Sequence, residues 1–462
     1  YNNPLLLKLD PSLDEDRLAR AIEAAIEAHA FVKLHIEEDA EGTPHMVPGD
    51  APYTQTVENM DEAGLEALKP QLIEPFDLHA GPLFRIRVIR TPEGLYLFSD
   101  FHHIIYDGTS MRVLMADIDR AYAGEAVEPE RFTGFDIAAE EARARQTDAY
   151  GEAKAWYEER FSALDLDSTP IPDCAGEEVE FASLDAAVDV APDVAARFCK
   201  RVGITENVLA IGAFGIVVGA YSNAREALFA TIYNGRADLR CARTVDMMVK
   251  TLPVYCRWSA ETSVADYLGA VKELVMGAMA HDLFSFAEVS GLADVSSDVL
   301  FAYQGDYLAL GTVCGEPFER VMLEGNATGS ALDFQLFEND EGFQLHVEYQ
   351  ANRYSDEYVA AMASCYAAVF AGLIGNERVD AIEVTSPAQL ELLESFHGAE
   401  VPYDKTQTVV SLFRAAAASY PDNVAAIYED DQLTYRELDE LTDRLARHLA
   451  GRGLGAGDVV SL

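Results

Sequence analysis

Helix-period and strand-period segments alternate along nearly the whole chain, and this alternation constrains the fold more than any other feature. Leu18, Ile22, Ile26 and His29 recur at helical spacing with charges between them. Segment 31–36 then reads as a strand. Segment 82–89, PLFRIRVI, alternates apolar and basic residues as a half-buried strand does. Segment 95–101 is a second strand, entered through the turn Pro92-Glu93-Gly94. Helical spacing resumes over 111–122, and a charged helical stretch covers 137–163. A second strand-and-helix series starts at 184–190 and runs to 375. Within it, VLAIGAFGIVVGAY at 208–221 follows the helix-start residues Thr205 and Glu206 and predicts a helix buried on all sides. That run is shorter than the ~20 residues that cross a bilayer. Signals thin out over 385–408, where Pro387, Gly398 and Pro402 mark a linker. A third unit follows, with a helix over 435–449. The pattern predicts an α/β fold.

At 462 residues and 49% hydrophobic, the chain can bury several cores, and two to four domains are expected. Its 34 basic and 79 acidic residues give a net charge of −45, which excludes nucleic acid and anionic membrane as partners. The charge serves solubility and is compatible with adaptation to salt. Cys174, Cys199, Cys241, Cys256, Cys314 and Cys365 are scattered without a C-x-x-C pair, arguing against a zinc site or a disulfide framework. The start of the chain shows no secretory signal, so the sequon Asn326-Ala327-Thr328 carries no meaning, and a cytoplasmic protein is expected. Gly451-Arg452-Gly453-Leu454-Gly455-Ala456-Gly457 follows a helix and lacks phosphate-loop spacing, so it reads as helix termination.

The chemistry concentrates in FHHIIYDGTS at 101–110. Neighbouring residues on a strand face opposite ways, so one of His102 and His103 faces a cavity and the other packs inward. A histidine at a cavity can take a proton from an amine or hydroxyl nucleophile. Asp107 follows four residues after His103, and Gly108 leaves the loop free to turn and opens its N–H groups to a substrate. A buried histidine pair with a capping aspartate explains the same spacing, and metal ligation is a third alternative. His29, His35, His45, His79 and His346 are isolated in sequence and read as surface or core residues.

The HHxxxDG pattern at 102–108 resembles the signature of the condensation domains of nonribosomal peptide synthetases, which are similar to chloramphenicol acetyltransferase. Other stretches resemble that family in the right order: Pro75-Phe76-Asp77-Leu78 with Gly81-Pro82-Leu83-Phe84-Arg85, Gly235-Arg236 with Val249-Lys250-Thr251-Leu252-Pro253, and His281-Asp282-Leu283-Phe284-Ser285-Phe286. Leu433-Thr434-Tyr435-Arg436-Glu437-Leu438 resembles the first core motif of adenylation domains. The resemblance implies two chloramphenicol-acetyltransferase-like lobes in a V, over 1–168 and 169–383 with the split around Asp165 to Pro172. A linker over 384–408 and an N-terminal adenylation fragment over 409–462 would follow. The family's first core motif is missing before Tyr1, which predicts that the chain is a fragment. The adenylation stretch stops before its phosphate loop, so no ATP binding is expected.

By the same resemblance, an upstream carrier domain presents an acyl or peptidyl thioester on its phosphopantetheine arm, and the amine of a downstream aminoacyl thioester attacks it. His103 is then catalytic, as general base or by positioning an amine that is already partly neutral (pKa about 7.7–8.0). The Gly108 N–H faces the developing oxyanion. His102, Asp107 and Arg236 support the site, Asp107 by pairing with Arg236. The chain binds no cofactor or metal itself; its partners are the two carrier domains and its own adenylation domain. Departures from the family pattern are Lys33 for an arginine, Asp246 for a glycine, Lys250 for an asparagine, Ser285 for a proline, and Thr109 for a common tryptophan. Alternatives are a non-catalytic partner-recruiting platform and a free-standing carrier-dependent acyltransferase. The two-aspartate pattern of cyclization domains is absent, and an adenylation start directly behind argues against epimerization.

Overall fold

The computed structural model describes residues 2–164, 166, 168–293, 296, 298–305, 311–323, 329–339, 342–385, 387–398, 402–455 and 457–460. The sequon 326–328, Ala456 and Asp165 lie outside the described residues. The chain forms two compact units, 1–390 and 391–462. The first is mixed α/β, built on two large sheets and a two-stranded one of His35–Glu38 with Pro44–Val47.

One sheet has five strands in the order Phe318–Val321, Asn2–Leu9, Leu95–His102, Phe84–Arg90, Val57–Asn59; all neighbours are antiparallel except the last pair. Its central strand, LYLFSDFH, is buried at every residue but the last. That is possible because both of its faces are covered. Leu95, Leu97 and Phe101 join a core with Leu18, Ile22 and Ile26 of the helix Glu15–Ala28 and with Leu114 and Ile118 of the helix Gly108–Ala123. Tyr96 and Phe98 join Leu6, Leu65, Leu72 and Ile89 on the other face. Each such side chain contributes about 1.5–3 kcal/mol of burial.

The other sheet has six strands, in the order Phe181–Val188, Gly342–Gln350, Leu332–Asn339, Val299–Gly305, Glu226–Tyr233, Lys250–Arg257. Its largest core holds the helix Glu206–Tyr221, in which Val208 to Gly219 are all buried. The expectation of a helix buried all round matches this segment. The helix Asp356–Gly375 is long and apolar enough to cross a membrane, and here its Met362, Tyr366, Val369 and Phe370 sit in that core.

Three local expectations need correction. Segment 31–36 is not one strand: Ala30–Lys33 is a 3₁₀ turn, and the strand is His35–Glu38. Phe31, Val32 and Leu34 are all buried in one core, so apolar density there reports burial rather than extension. The stretch 137–163 is two helices, Gly134–Ala144 and Asp148–Phe161, divided where Thr147 takes an extended conformation. The stretch 385–408 contains the helix Pro387–Ser395.

The second unit holds the helix Val409–Ser419, a hairpin of Val424–Tyr428 with Asp431–Thr434, and the helix Tyr435–Gly451. The LTYREL segment is a strand end joined to a helix start. Thr434 accepts the Glu437 N–H at 3.2 Å, and the Glu437 carboxylate accepts the Thr434 N–H at 2.8 Å, closing a capping box. Gly453, at φ +88°, follows the end of that helix.

Candidate active site

The central strand ends at His102, and the chain turns through His103 and Ile104 into the helix Gly108–Ala123. The strand alternation therefore reaches His102 but not His103, and both imidazoles are half-buried rather than one facing out and one packed in. His102 shares a strand face with Asp100 and Phe98. Its Nδ1 accepts the Ile104 N–H at 3.1 Å, and its ring stands edge-on to Phe76 at 6.0 Å. Burial holds the His102 pKa below its ordinary value. The turn is anchored from below by Tyr106, whose ring stacks on Phe101 at 4.0 Å and 10°. Such a pair adds about 0.5–1.5 kcal/mol beyond its area.

The segment that holds Phe76 is tied to the same strand. The Arg85 guanidinium lies 3.8 Å over the Phe76 ring, donates to the carbonyls of Glu74 and Pro75 at 2.8 and 2.9 Å, and pairs with buried Asp100 at 3.1 Å. Burial raises the Asp100 pKa, and Asn2 and Arg85 partly offset it.

Asp107 is fully buried and caps the helix. Its Oδ1 accepts the Ser110 N–H at 2.8 Å and Arg236 Nη2 at 3.0 Å; its Oδ2 accepts Arg236 Nη1 at 2.7 Å and the Met248 N–H at 3.0 Å. Four donors fill the roughly four acceptor sites of a carboxylate. Arg236 is 5% exposed, so this is a buried bidentate pair. Gly235 makes its approach possible: φ is +68°, and a Cβ would lie 2.0 Å from the Met248 carbonyl oxygen. Gly108 is the first residue of the helix rather than a loop hinge, and its N–H belongs to the first turn, where amides have no intrahelical acceptor.

The departing residues have partners of their own. Asp246 is buried; its carboxylate accepts the Met247 N–H at 2.6 Å, and burial raises its pKa to about 7. Lys250 pairs with Glu141 at 2.7 Å and Asp282 at 3.3 Å. Burial opposes its charge, but the carboxylates outweigh burial and its pKa is raised. Lys33 pairs with Glu27 at 2.9 Å. The Ser285 N–H and hydroxyl both donate to Glu288, at 2.8 and 2.7 Å, a role proline could not fill. Thr109 is buried in the first helical turn. Among the described residues, no group of three or more His, Cys, Asp or Glu side chains is arranged to hold a metal ion.

The family model described as Condensation domain matches residues 1–393, and that of AMP-binding enzyme matches 413–462. The chain belongs to the condensation-domain family. Tyrocidine synthase 2 of Brevibacillus parabrevis is 22% identical over 100% of this chain and 13% of its own length. Surfactin synthase subunit 1 of Bacillus subtilis (strain 168) is 25% identical over 99% of this chain and 13% of its own. The chain thus spans a small part of the curated relatives it matches. The first condensation domain of the calcium-dependent antibiotic synthetase, solved with a substrate analogue, superposes with TM-score 0.67 at 19% identity, covering 83% of this chain and 93% of that one. The X-domain from teicoplanin biosynthesis superposes with TM-score 0.67 at 19% identity, covering 83% and 92%. The fold is the chloramphenicol-acetyltransferase-like fold of these domains.

Within this condensation domain the structure brings Asp107 and Arg236 into one contact network, with Gly108 next to Asp107 at the helix start and His102 and His103 at the strand end beside it. Ser110 was not singled out from sequence, yet it is the hub. Its hydroxyl lies 2.9 Å from Asp107 Oδ1, 2.7 Å from the Asp246 carbonyl oxygen and 3.2 Å from Arg236 Nη2, and it accepts the Asp246 N–H at 3.0 Å. The signal was available locally: Ser110 is the third residue after a capping aspartate, the position whose amide a cap engages. The contacts to 246 and 248 had no local signal. His29 is not isolated either: its Nε2 faces Asp117 at 2.9 Å and its Nδ1 faces Glu130 at 3.1 Å.

Proposed function

We propose that this chain catalyses amide-bond formation between an acyl or peptidyl thioester on an upstream carrier domain and the amine of an aminoacyl thioester on a downstream carrier domain. The observation that carries this reading is the saturated Asp107 carboxylate. Two donors from Arg236, the Ser110 amide and the Met248 amide leave it no free acceptor site, so it holds the loop and does not take the proton. The proton-handling group is then a histidine of the motif; the family resemblance points to the second, His103, on the turn, and the Nδ1 of His102 is already taken by the Ile104 amide. His103 removes a proton from the attacking ammonium or orients the neutral amine toward the thioester carbonyl. The Gly108 amide, at the positive end of the helix, stabilises the oxyanion that forms when the amine adds. Addition of the amine forms the C–N bond; collapse of the intermediate breaks the C–S bond, and the proton given up by the amine goes to the departing sulfur, which leaves the upstream arm as a thiol.

In this reading the phosphopantetheine arms arrive on the carriers as parts of the substrates. The two lobes run over 1–168 and 169–383, a linker over 384–408 precedes the adenylation piece, and the protein works in the cytoplasm. The test is intact-protein mass spectrometry of the two loaded carriers, with and without the chain. Movement of the acyl mass from the upstream to the downstream carrier supports the proposal. Unchanged carrier masses, with stable binding of another protein to the chain, would favour the recruiting platform.

A further inference from the structure

His29 ends the helix Glu15–Ala28, is fully buried, and has no part in the proposed reaction. Both of its ring nitrogens face carboxylate oxygens, Nε2 that of Asp117 and Nδ1 that of Glu130. A carboxylate only accepts, so filling both contacts requires a proton on each nitrogen. Asp117 lies on the helix that begins at Gly108, and it also accepts Arg243 at 2.8 Å and Arg120 at 3.2 Å. Glu130 uses its other oxygen to accept the Val245 N–H at 3.0 Å. Asp246, the next acid along that segment, feels the charge of Glu130. Asp117 meets two guanidiniums, whereas among the ion pairs of the described residues the cation that faces Glu130 is His29, so an imidazolium supplies its counter-charge. Burial opposes that charge, the two carboxylates outweigh it, and the His29 pKa is raised.

The segment pinned in this way is the one that supplies the partners of Asp107. Arg243 and Val245 contact the cluster, Asp246 holds Ser110, and the Met248 amide donates to Asp107. We propose that His29 is a positioning residue, an imidazolium clamp that fixes segment 243–248 against the motif helix and so keeps the partners of Asp107 in register. The purpose of the clamp rests on the condensation reading; its existence does not.

Hydrogen exchange read by mass spectrometry, corrected for the intrinsic pH dependence of exchange, tests the clamp without any substrate. A failed clamp and a failed reading of the activity are therefore distinguishable. The clamp is fully present below the unfolded histidine pKa of about 6.5 and is lost as pH rises through the raised folded value. In the wild type, protection of 243–248 should hold past the ordinary histidine pKa of about 6.5 and fall at higher pH. His29→Gln should exchange there faster by roughly tenfold or more at pH 6, the scale of one lost hydrogen bond to a charged group, and without a pH step. Glu130→Gln keeps the oxygen for Val245 but removes one charge, and should move the step to lower pH. Should His29→Gln fail to fold, the Glu130→Gln shift carries the test. A wild type with no step, a step that Glu130→Gln leaves in place, or a His29→Gln loss spread evenly over 2–390 would overturn the proposal.

Discussion

At the scale of single residues, the account depends on Asp107 being structural. A buried ion pair is costly to break because the surviving charge is stranded, at about 3–5 kcal/mol. Asp107 and Arg236 are 0% and 5% exposed. Asp107→Asn should therefore lower thermal stability along with transfer, and Arg236→Gln should do the same. The double variant removes both charges and should recover part of the stability lost by either single change. Melts of the four proteins decide the matter; strictly additive losses would show that the pair does not act as a pair. Ser110→Ala removes the hydroxyl that the Asp246 amide and Arg236 both use, and should cost about 1–3 kcal/mol in the same melts. Asp246 makes a pH-dependent contribution. Its folded pKa, about 7, lies above the unfolded carboxylate value, so its stabilisation is present at acid pH and is lost as pH rises toward 7. Asp246→Asn should remove that decline, worth about 1.4 kcal/mol per pKa unit. Identical slopes of melting temperature against pH for the two proteins would contradict it.

At the scale of elements, the sequence was most legible where burial follows a regular period. The strand at 95–102 and the helix at 206–221 were both readable, because continuous burial of a strand or helix leaves continuous apolar residues. The strand at 31–36 was misread because a 3₁₀ turn can bury Phe31 and Val32 in succession, and so carries strand-like residues without strand geometry. In the site, the strand-to-helix placement of the motif was local and therefore visible. The exit from the strand at His102, one residue before the second histidine, was not, since strand ends are set by tertiary pairing: Asn2 pairs with His102, and among the described residues no strand residue pairs with His103. The partners of His29 lie 88 and 101 residues away, a separation that no local pattern spans. The contact between Asp107 and Arg236, 129 residues apart, was expected only through the family resemblance.

At the scale of the whole molecule, a net charge of −45 means that like-charge repulsion opposes the compact state. Raising salt from ~0.01 M to ~0.15 M shortens the screening length from about 30 to about 8 Å. Melting temperature should rise over that range; a fall would mean that ion pairs such as Arg145–Glu288 and Arg240–Glu140 outweigh the repulsion. The central claim is that His103, on a turn held by a saturated Asp107, handles the amine. The most direct measurement is the rate at which the acyl mass moves between loaded carriers, by intact-protein mass spectrometry, for wild type and His103→Ala, with a thermal melt of each. The account predicts a loss of about 10²–10⁴-fold in rate with the melting temperature essentially unchanged. Transfer by His103→Ala at the wild-type rate would contradict it.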